Sequence, residues 1–361
     1  MKIVDCRLHT YSLPFAKPFI VSGQSLENRQ GIIVELLSDQ NHSGLGEIAP
    51  LPGLSPENFK KVVYEINQIR SFFLNCVLPD EFNSLISWLR TAPVLKNAPS
   101  SVRFGVESAV LQLRAQIEKK MLAQMLGAPN IPVAVPTACL LQGNFDEIVQ
   151  EAKAKKRKDY LVFKLKVGSK NIPLDVKKVL AVQEAVGEDC LVRLDANRSW
   201  SLTEAVTFAQ HIKLGSVQFI EEPVKNSDDI LKFFEATRMP VALDESLWHK
   251  PLDQIKPVRG VEFCVLKPMF LGGVVKTLDC IKQLRSLGIS CVISAAFESG
   301  VGLNVLANLS LLTLQVPGLG TFNYFKEDLL KKPLIDDQGC IKKEKLYLKK
   351  EDLNIKFLKM A

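Results

Sequence analysis

The 361-residue chain has no CxxC pair, only four histidines with no metal-like spacing to the cysteines, and no apolar run long enough to cross a bilayer. Those gaps leave no zinc-site signature and no membrane span. No GxGxxG follows a strand-like run, so the fingerprint of a dinucleotide-binding sheet is missing. The opening stretch MKIVDCRLHTYSLPF alternates like a strand and lacks a signal-peptide core. A cytoplasmic protein with no membrane partner is therefore expected. Its eight cysteines read as free thiols, several of them buried in apolar runs such as VEFCVLK around Cys264 and ISCVIS around Cys291.

What is present is the ordinary mixture of a globular protein, 47% hydrophobic and 24% charged residues, long enough for two domains or for one barrel with additions. The net charge of +7 is spread along the chain apart from KAKKRK (153–158), KKEK (342–345) and KLYLKK (345–350). Such short runs read as solvated helix faces rather than as a nucleic-acid surface. The positive excess fits a small anionic substrate.

Two parts differ in rhythm. In the first, KIVDCRLHTYSL and GIIVELLSD read as antiparallel strands joined by the loop VSGQSLENRQ. GLGEIAPLPGLSPENF follows, irregular with Gly and Pro, and Ser55-Pro56 in it reads as a helix start. Helical patterns run through KKVVYEINQIRSFF and SVRFGVESAVLQLRAQIEKKML, giving an α+β domain over 1–128. From 129 to 321, short apolar strands alternate with helices, the pattern of a parallel sheet. The expected strands are VAVPTAC, YLVFKLKV, CLVRLD, VQFIEE, VALDE, EFCVLK and ISCVISA, with an eighth near VPGLGTF. Seven or eight such units predict a (β/α) TIM-type barrel, with an open doubly wound sheet as the competing fold. The tail, 322–361, falls outside the repeat and is expected to return to the first domain.

Catalytic groups of such barrels lie at the C-terminal ends of the strands. Strand two ends with Lys164 and Lys166, side chains on one face. Strand three closes with Asp195 and Asn197, strand four with Glu221 and Glu222, strand five with Asp244 and Glu245, and strand six with Lys267. One carboxylate closing a strand is commonly a helix cap; three in succession between lysine-ended strands are not. Converging carboxylates need a cation, and an all-oxygen set suits Mg²⁺, with Asp195, Glu221 and Asp244 as ligands. Asn197, Glu222 and Glu245 would stand behind them or face the substrate. Burial, the partner lysine and the metal would disfavour the ammonium of Lys166, making it a general base opposed by Lys267. Removal of a proton α to a carboxylate is the chemistry this predicts; the alternative is a buried ionic core without catalysis, or an inactive scaffold.

This layout resembles the enolase superfamily, and KxK at 164–166 with Lys267 resembles its muconate-lactonising subgroup. GLGEIAPLPGLSPENF, SVRFGVESAV, KLKVG, RLDANRSWS, FIEEP, DESL, VLKP, ISAAFESGVG and VPGLGTF carry the likeness over nearly the whole chain. Within the subgroup the chain is most similar to the dehydratases of menaquinone biosynthesis. The resemblance implies an α+β capping domain completed by the tail, a modified barrel, and Mg²⁺, with Mn²⁺ as a substitute. It implies syn dehydration of 2-succinyl-6-hydroxy-2,4-cyclohexadiene-1-carboxylate to 2-succinylbenzoate. Lys166 then takes the proton and returns it to the departing hydroxide, Lys267 stays charged, and Lys164 lowers the basicity of Lys166. Where some relatives carry a serine run in strand seven, this chain has Ala295 and Ala296, so Ser294, Glu298 and Ser299 are expected at the succinyl group, with Arg29 as a carboxylate partner. N-acylamino-acid racemases and dipeptide epimerases use the same two lysines and are the alternative. The epimerases' DxD near strand eight has no counterpart in QVPGLGTF.

Overall fold

Cys6 and Leu8, then Tyr11, Leu13 and Phe15, turn inward along β1 (Ile3–Val21), and the antiparallel hairpin is completed by β2 (Gln24–Ser38), with β3 (Ser43–Ile48) beside it. The computed structural model describes residues 1–21, 23–74, 76–248 and 254–360. The hairpin is longer than the sequence predicts. Most of the segment expected as a loop is strand, pairing Phe19 with Leu26 and Val21 with Gln24 beyond a register break between Pro14 and Phe19. Polar composition misleads there because the ladder is made by backbone groups whatever the side chains.

Helices α1 (Phe59–Phe73), α2 (Phe82–Thr91) and α3 (Ser100–Ile117) follow. The helix expected to be capped by Ser55 starts three residues later. Asn58 caps α1 by accepting from Lys61 N at 2.9 Å, while Ser55 Oγ accepts from Leu51 N at 2.8 Å and closes a turn instead. Helix α3 lies directly on β3. A side chain on Gly46 would collide with the carbonyl of Gly105, and one on Gly44 with that of Ala109. GLGE and FGVES are thus two halves of one close strand–helix contact.

After the short α4 (Leu122–Met125) the run VAVPTAC splits in two: β4 (Ala134–Pro136) leaves the barrel, and only β5 (Cys139–Leu141) enters it. Then α5 (Phe145–Lys156), β6 (Val162–Lys166), α6 (Ile172–Val186), β7 (Leu191–Asp195), α7 (Leu202–Ala209), β8 (Val217–Glu221), α8 (Ile230–Thr237) and β9 (Val241–Leu243) alternate. Next come β10 (Val261–Leu266), α9 (Pro268–Leu271), α10 (Val274–Ser286), β11 (Ser290–Ile293) and α11 (Gly300–Ser310). The parallel sheet runs β5 to β11 in chain order, seven strands rather than eight. VPGLGTF forms no strand. It contributes a single bridge, Ser294 to Gly318, and Ala138 N donates to Pro317 O at 2.9 Å, so a few backbone bonds close the curl between β11 and β5.

In the tail, β12 (Cys340–Lys342) pairs with β4, and β13 (Leu358–Met360) adds an edge to the N-terminal sheet beside β1. No described helix is long and apolar enough to cross a membrane. All eight cysteines are free, six of them buried.

Candidate active site

The parallel register sets the site. Lys166 pairs with Asp195, Asp195 with Glu221, and Glu221 with Ala242, so three strand ends stand level and Asp244 lies just beyond the fourth. Asp195, Glu221 and Asp244 are all buried. Lys164, one pleat below Lys166, bridges two of them: its Nζ lies 2.8 Å from Asp195 Oδ2 and 2.7 Å from Glu221 Oε2. On the other side Lys267 donates to Asp244 Oδ2 and stands 4.0 Å from Glu221 Oε1. Lys166 is exposed and forms no hydrogen bond or ion pair among the described residues.

Sequence reasoning placed desolvation on Lys166; the structure places it on Lys164 and Lys267. For both, burial alone would favour the neutral amine, but the surrounding carboxylates outweigh it and hold the ammonium form above its usual range. Alternation put the two lysines on one face without saying which lies deep. The acids divide among themselves. Burial and the charge of Asp195 push Glu221 up to about 8, and burial raises Asp244. Asp195 falls below its ordinary value, because Lys164 and Lys267 overcome the cost of burying it.

Around these groups the backbone is tightly constrained. Asn197 and Glu222 sit at φ +42 and +46, in the region that non-glycine residues avoid. Asn197 N donates to Asp195 Oδ1 at 3.1 Å, and its side-chain amide donates to Glu245 Oε1 at 2.9 Å. Glu222 Oε1 accepts from the backbone N–H of Asp244 at 2.9 Å and of Ser246 at 2.8 Å. These neighbours shape the loops that carry the acids.

The donor set suits a hard divalent cation. All three acids offer oxygen, Glu221 Oε1 is buried without a hydrogen bond, and burial together with Asp195 disfavours the charged form of Glu221, a cost that a cation would offset. Among the described residues no three acidic, His or Cys groups already stand as a ligand cage, since lysine ammonium groups lie between the carboxylates. A cation would have to draw the acids away from the lysines.

Strand seven and the hairpin are used differently from the expectation. Arg29, expected at a substrate carboxylate, is fully buried in β2. Its five N–H groups go to the carbonyls of Gln30, Ala49, Pro50, Ala296 and Phe297, leaving none for a ligand. Ser294 Oγ donates to Gly318 O at 3.3 Å. Ser299 caps α11 and donates through Oγ to Glu47 Oε2 at 2.6 Å. Glu298 is buried, accepts from Ala296 N at 2.5 Å, and is pushed up to about 7 by burial and by Glu47. Arg29, Glu298 and Ser299 lie at the seam between the two parts of the chain, whereas Ser294 bonds within the barrel. Glu47 was missed; the signal was a lone acid inside the apolar strand SGLGEI.

Two family models match: "MenC, N-terminal domain" over residues 3–113 and "Enolase C-terminal domain-like" over residues 147–345. The chain is 31% identical to the o-succinylbenzoate synthase of Aliivibrio salmonicida over 90% of this chain and 92% of that one. It is 29% identical to the o-succinylbenzoate synthase of Proteus mirabilis, over 91% and 93%. Its fold is similar to that of a dipeptide epimerase from Enterococcus faecalis V583 solved with Mg and the dipeptide L-Leu-L-Tyr, with TM-score 0.83, 21% identity, and 95% and 97% of the two chains covered.

Proposed function

The chain belongs to the o-succinylbenzoate synthase family of the enolase superfamily, lyases of menaquinone biosynthesis, and on that premise we propose how its residues divide the work. The substrate is 2-succinyl-6-hydroxy-2,4-cyclohexadiene-1-carboxylate, a small anion, and the product of its syn dehydration is 2-succinylbenzoate. Asp195, Glu221 and Asp244 would hold Mg²⁺, with Mn²⁺ able to stand in; the relative solved with Mg supports that choice of ion. A bound divalent cation supplies the positive charge that the substrate carboxylate needs as it takes up the electrons of the breaking C–H bond.

The chain's own groups do the rest. Lys166, at the mouth and tied to nothing, is free to turn its Nζ to the proton α to the carboxylate, and then to hand that proton to the C6 hydroxyl as it leaves. A syn elimination needs only one such group, on one face. Lys267, half-buried and held in the ammonium form, adds fixed positive charge opposite. Lys164 keeps Asp195 and Glu221 together from below. Asn197 and Glu222 fix the loops of the first and third acids.

The observation that carries this reading is the convergence of three buried acids, Asp195 level with Glu221 and Asp244 just beyond the next strand, flanked by Lys164 on β6 and Lys267 just past β10. Purified protein with Mg²⁺ should consume the diene and form the aromatic product, and K166A should not. Racemisation of N-succinyl amino acids without dehydration would instead favour the racemase alternative, for which Lys166 and Lys267 would serve opposite faces.

A further inference from the structure

Among the described residues, Trp248 is the one aromatic side chain in contact with both an acid and a lysine of the cluster. It follows Asp244 by four residues, and the tight turn Glu245–Leu247 folds it back over that acid. Its Nε1 donates to Asp244 Oδ1 at 3.0 Å, while Lys267 donates to Asp244 Oδ2. Lys267 Nζ also lies 5.7 Å from the centre of the indole ring. Phe270, buried on α9 just past Lys267, packs against the indole with ring centres 4.6 Å apart. The ring is therefore held from both strands that frame this edge of the site. The two oxygens of Asp244 are sorted: Oδ1 goes to the indole, and Oδ2 to Lys267.

A carboxylate free to rotate about its last bond presents either oxygen, or both, to a cation. We propose that Trp248 is a positioning residue for the cation site, its N–H pinning Asp244 Oδ1 so that Oδ2 alone is offered inward. This rests on Asp244 being a ligand. Groups that orient a ligating carboxylate commonly change metal affinity about 10–100-fold when removed. Neither the spacing of DESLW nor the strand-end pattern marks the residue, because its role depends on a turn that the sequence does not announce.

The test is calorimetric titration of Mg²⁺ into the full-length wild type, W248F and W248H, with indole emission followed in parallel. W248F keeps an aromatic ring but loses the N–H; W248H keeps a ring N–H. The expected result is a dissociation constant raised about tenfold or more in W248F and largely restored in W248H. The Mg²⁺-dependent change in wild-type emission should disappear in W248F although Trp88 and Trp200 remain. At saturating Mg²⁺, kcat of W248F should return toward wild type. Equal Mg²⁺ affinity in wild type and W248F overturns the proposal while leaving the cation site standing. Equal loss in W248F and W248H also overturns it, by assigning the effect to ring volume. A wild type that binds no Mg²⁺ sinks both this inference and the functional reading beneath it.

Discussion

Glu47 reaches from the N-terminal sheet to the head of α11, accepting from Ser299 N at 2.9 Å and from Ser299 Oγ at 2.6 Å. Its carboxylate also accepts from Gly302 N at 2.8 Å and from the Tyr11 hydroxyl at 2.5 Å. One buried acid of the N-terminal sheet thus accepts from donors in the first turn of a barrel helix. Glu47→Ala would orphan those donors inside the protein, so a loss of about 3 kcal/mol or more is expected. Ser299→Ala, which keeps the backbone contacts, should cost about 1 kcal/mol. Urea unfolding of the two variants measures both; equal small losses would show that the seam carries little.

Lys164 and Lys166 should separate cleanly on mutation. Lys166 is exposed and unpaired, so Lys166→Ala should leave the unfolding midpoint nearly unchanged while turnover falls about 10³-fold. Lys164 is half-buried and held between the buried Asp195 and Glu221. Removing it strands two acids, and Lys164→Ala should destabilise the Mg²⁺-free protein by about 3–5 kcal/mol. A Lys166→Ala enzyme that still dehydrates at near wild-type rate would remove it from the chemistry.

Stability should decline across mildly acidic pH. Burial and the nearby Glu47 push Glu298 up to about 7 from an ordinary 4.5, and burial pushes Glu107 up to about 7 against the pull of Arg103. Between those values the folded state binds more protons than the unfolded chain, so the contribution of these two groups is full below pH 4.5 and is lost as pH rises through 7. Each group accounts for about 3 kcal/mol at most. Glu298→Gln keeps the carboxyl neutral and should remove the share of the slope due to Glu298, leaving that of Glu107 and of Glu221. Denaturant midpoints from pH 4 to 8 test this; an unchanged slope in the variant would mean that Glu298 titrates normally in the folded protein.

The acids and Lys267 were legible because each is a charge closing an apolar run, as in RLDAN, FIEEP, ALDES and VLKP, and a parallel register carries strand ends to one level. What stayed hidden depends on partners remote in sequence. Ala134–Pro136 looks like any barrel strand, and only pairing with Cys340–Lys342, some two hundred residues on, removes it from the sheet. Arg29 sits in a polar stretch that reads as a loop, yet carbonyls from residues 49, 50, 296 and 297 converge on it. Depth was equally invisible. Period-two alternation gives Lys164 and Lys166 the same face, whereas the barrel's curvature decides which one meets the acids.

Mg²⁺ should stabilise the folded protein, because the unfolded chain has no site for it. At a hundredfold excess over the dissociation constant, linkage predicts about 2.7 kcal/mol and a melting temperature raised by several degrees. The gain should reverse with a chelator and vanish in Glu221→Gln, whose parent carboxylate has one buried oxygen without a hydrogen bond and is central to the proposed ligand set. It should persist in Lys166→Ala, since that lysine makes no ion pair or hydrogen bond to any of the three acids among the described residues. The pairing of variants separates ion binding from catalysis. If Glu221→Gln is stabilised by Mg²⁺ as strongly as the wild type, the ion sits elsewhere, and the cluster of Asp195, Glu221 and Asp244 would then be a buried ionic core and nothing more.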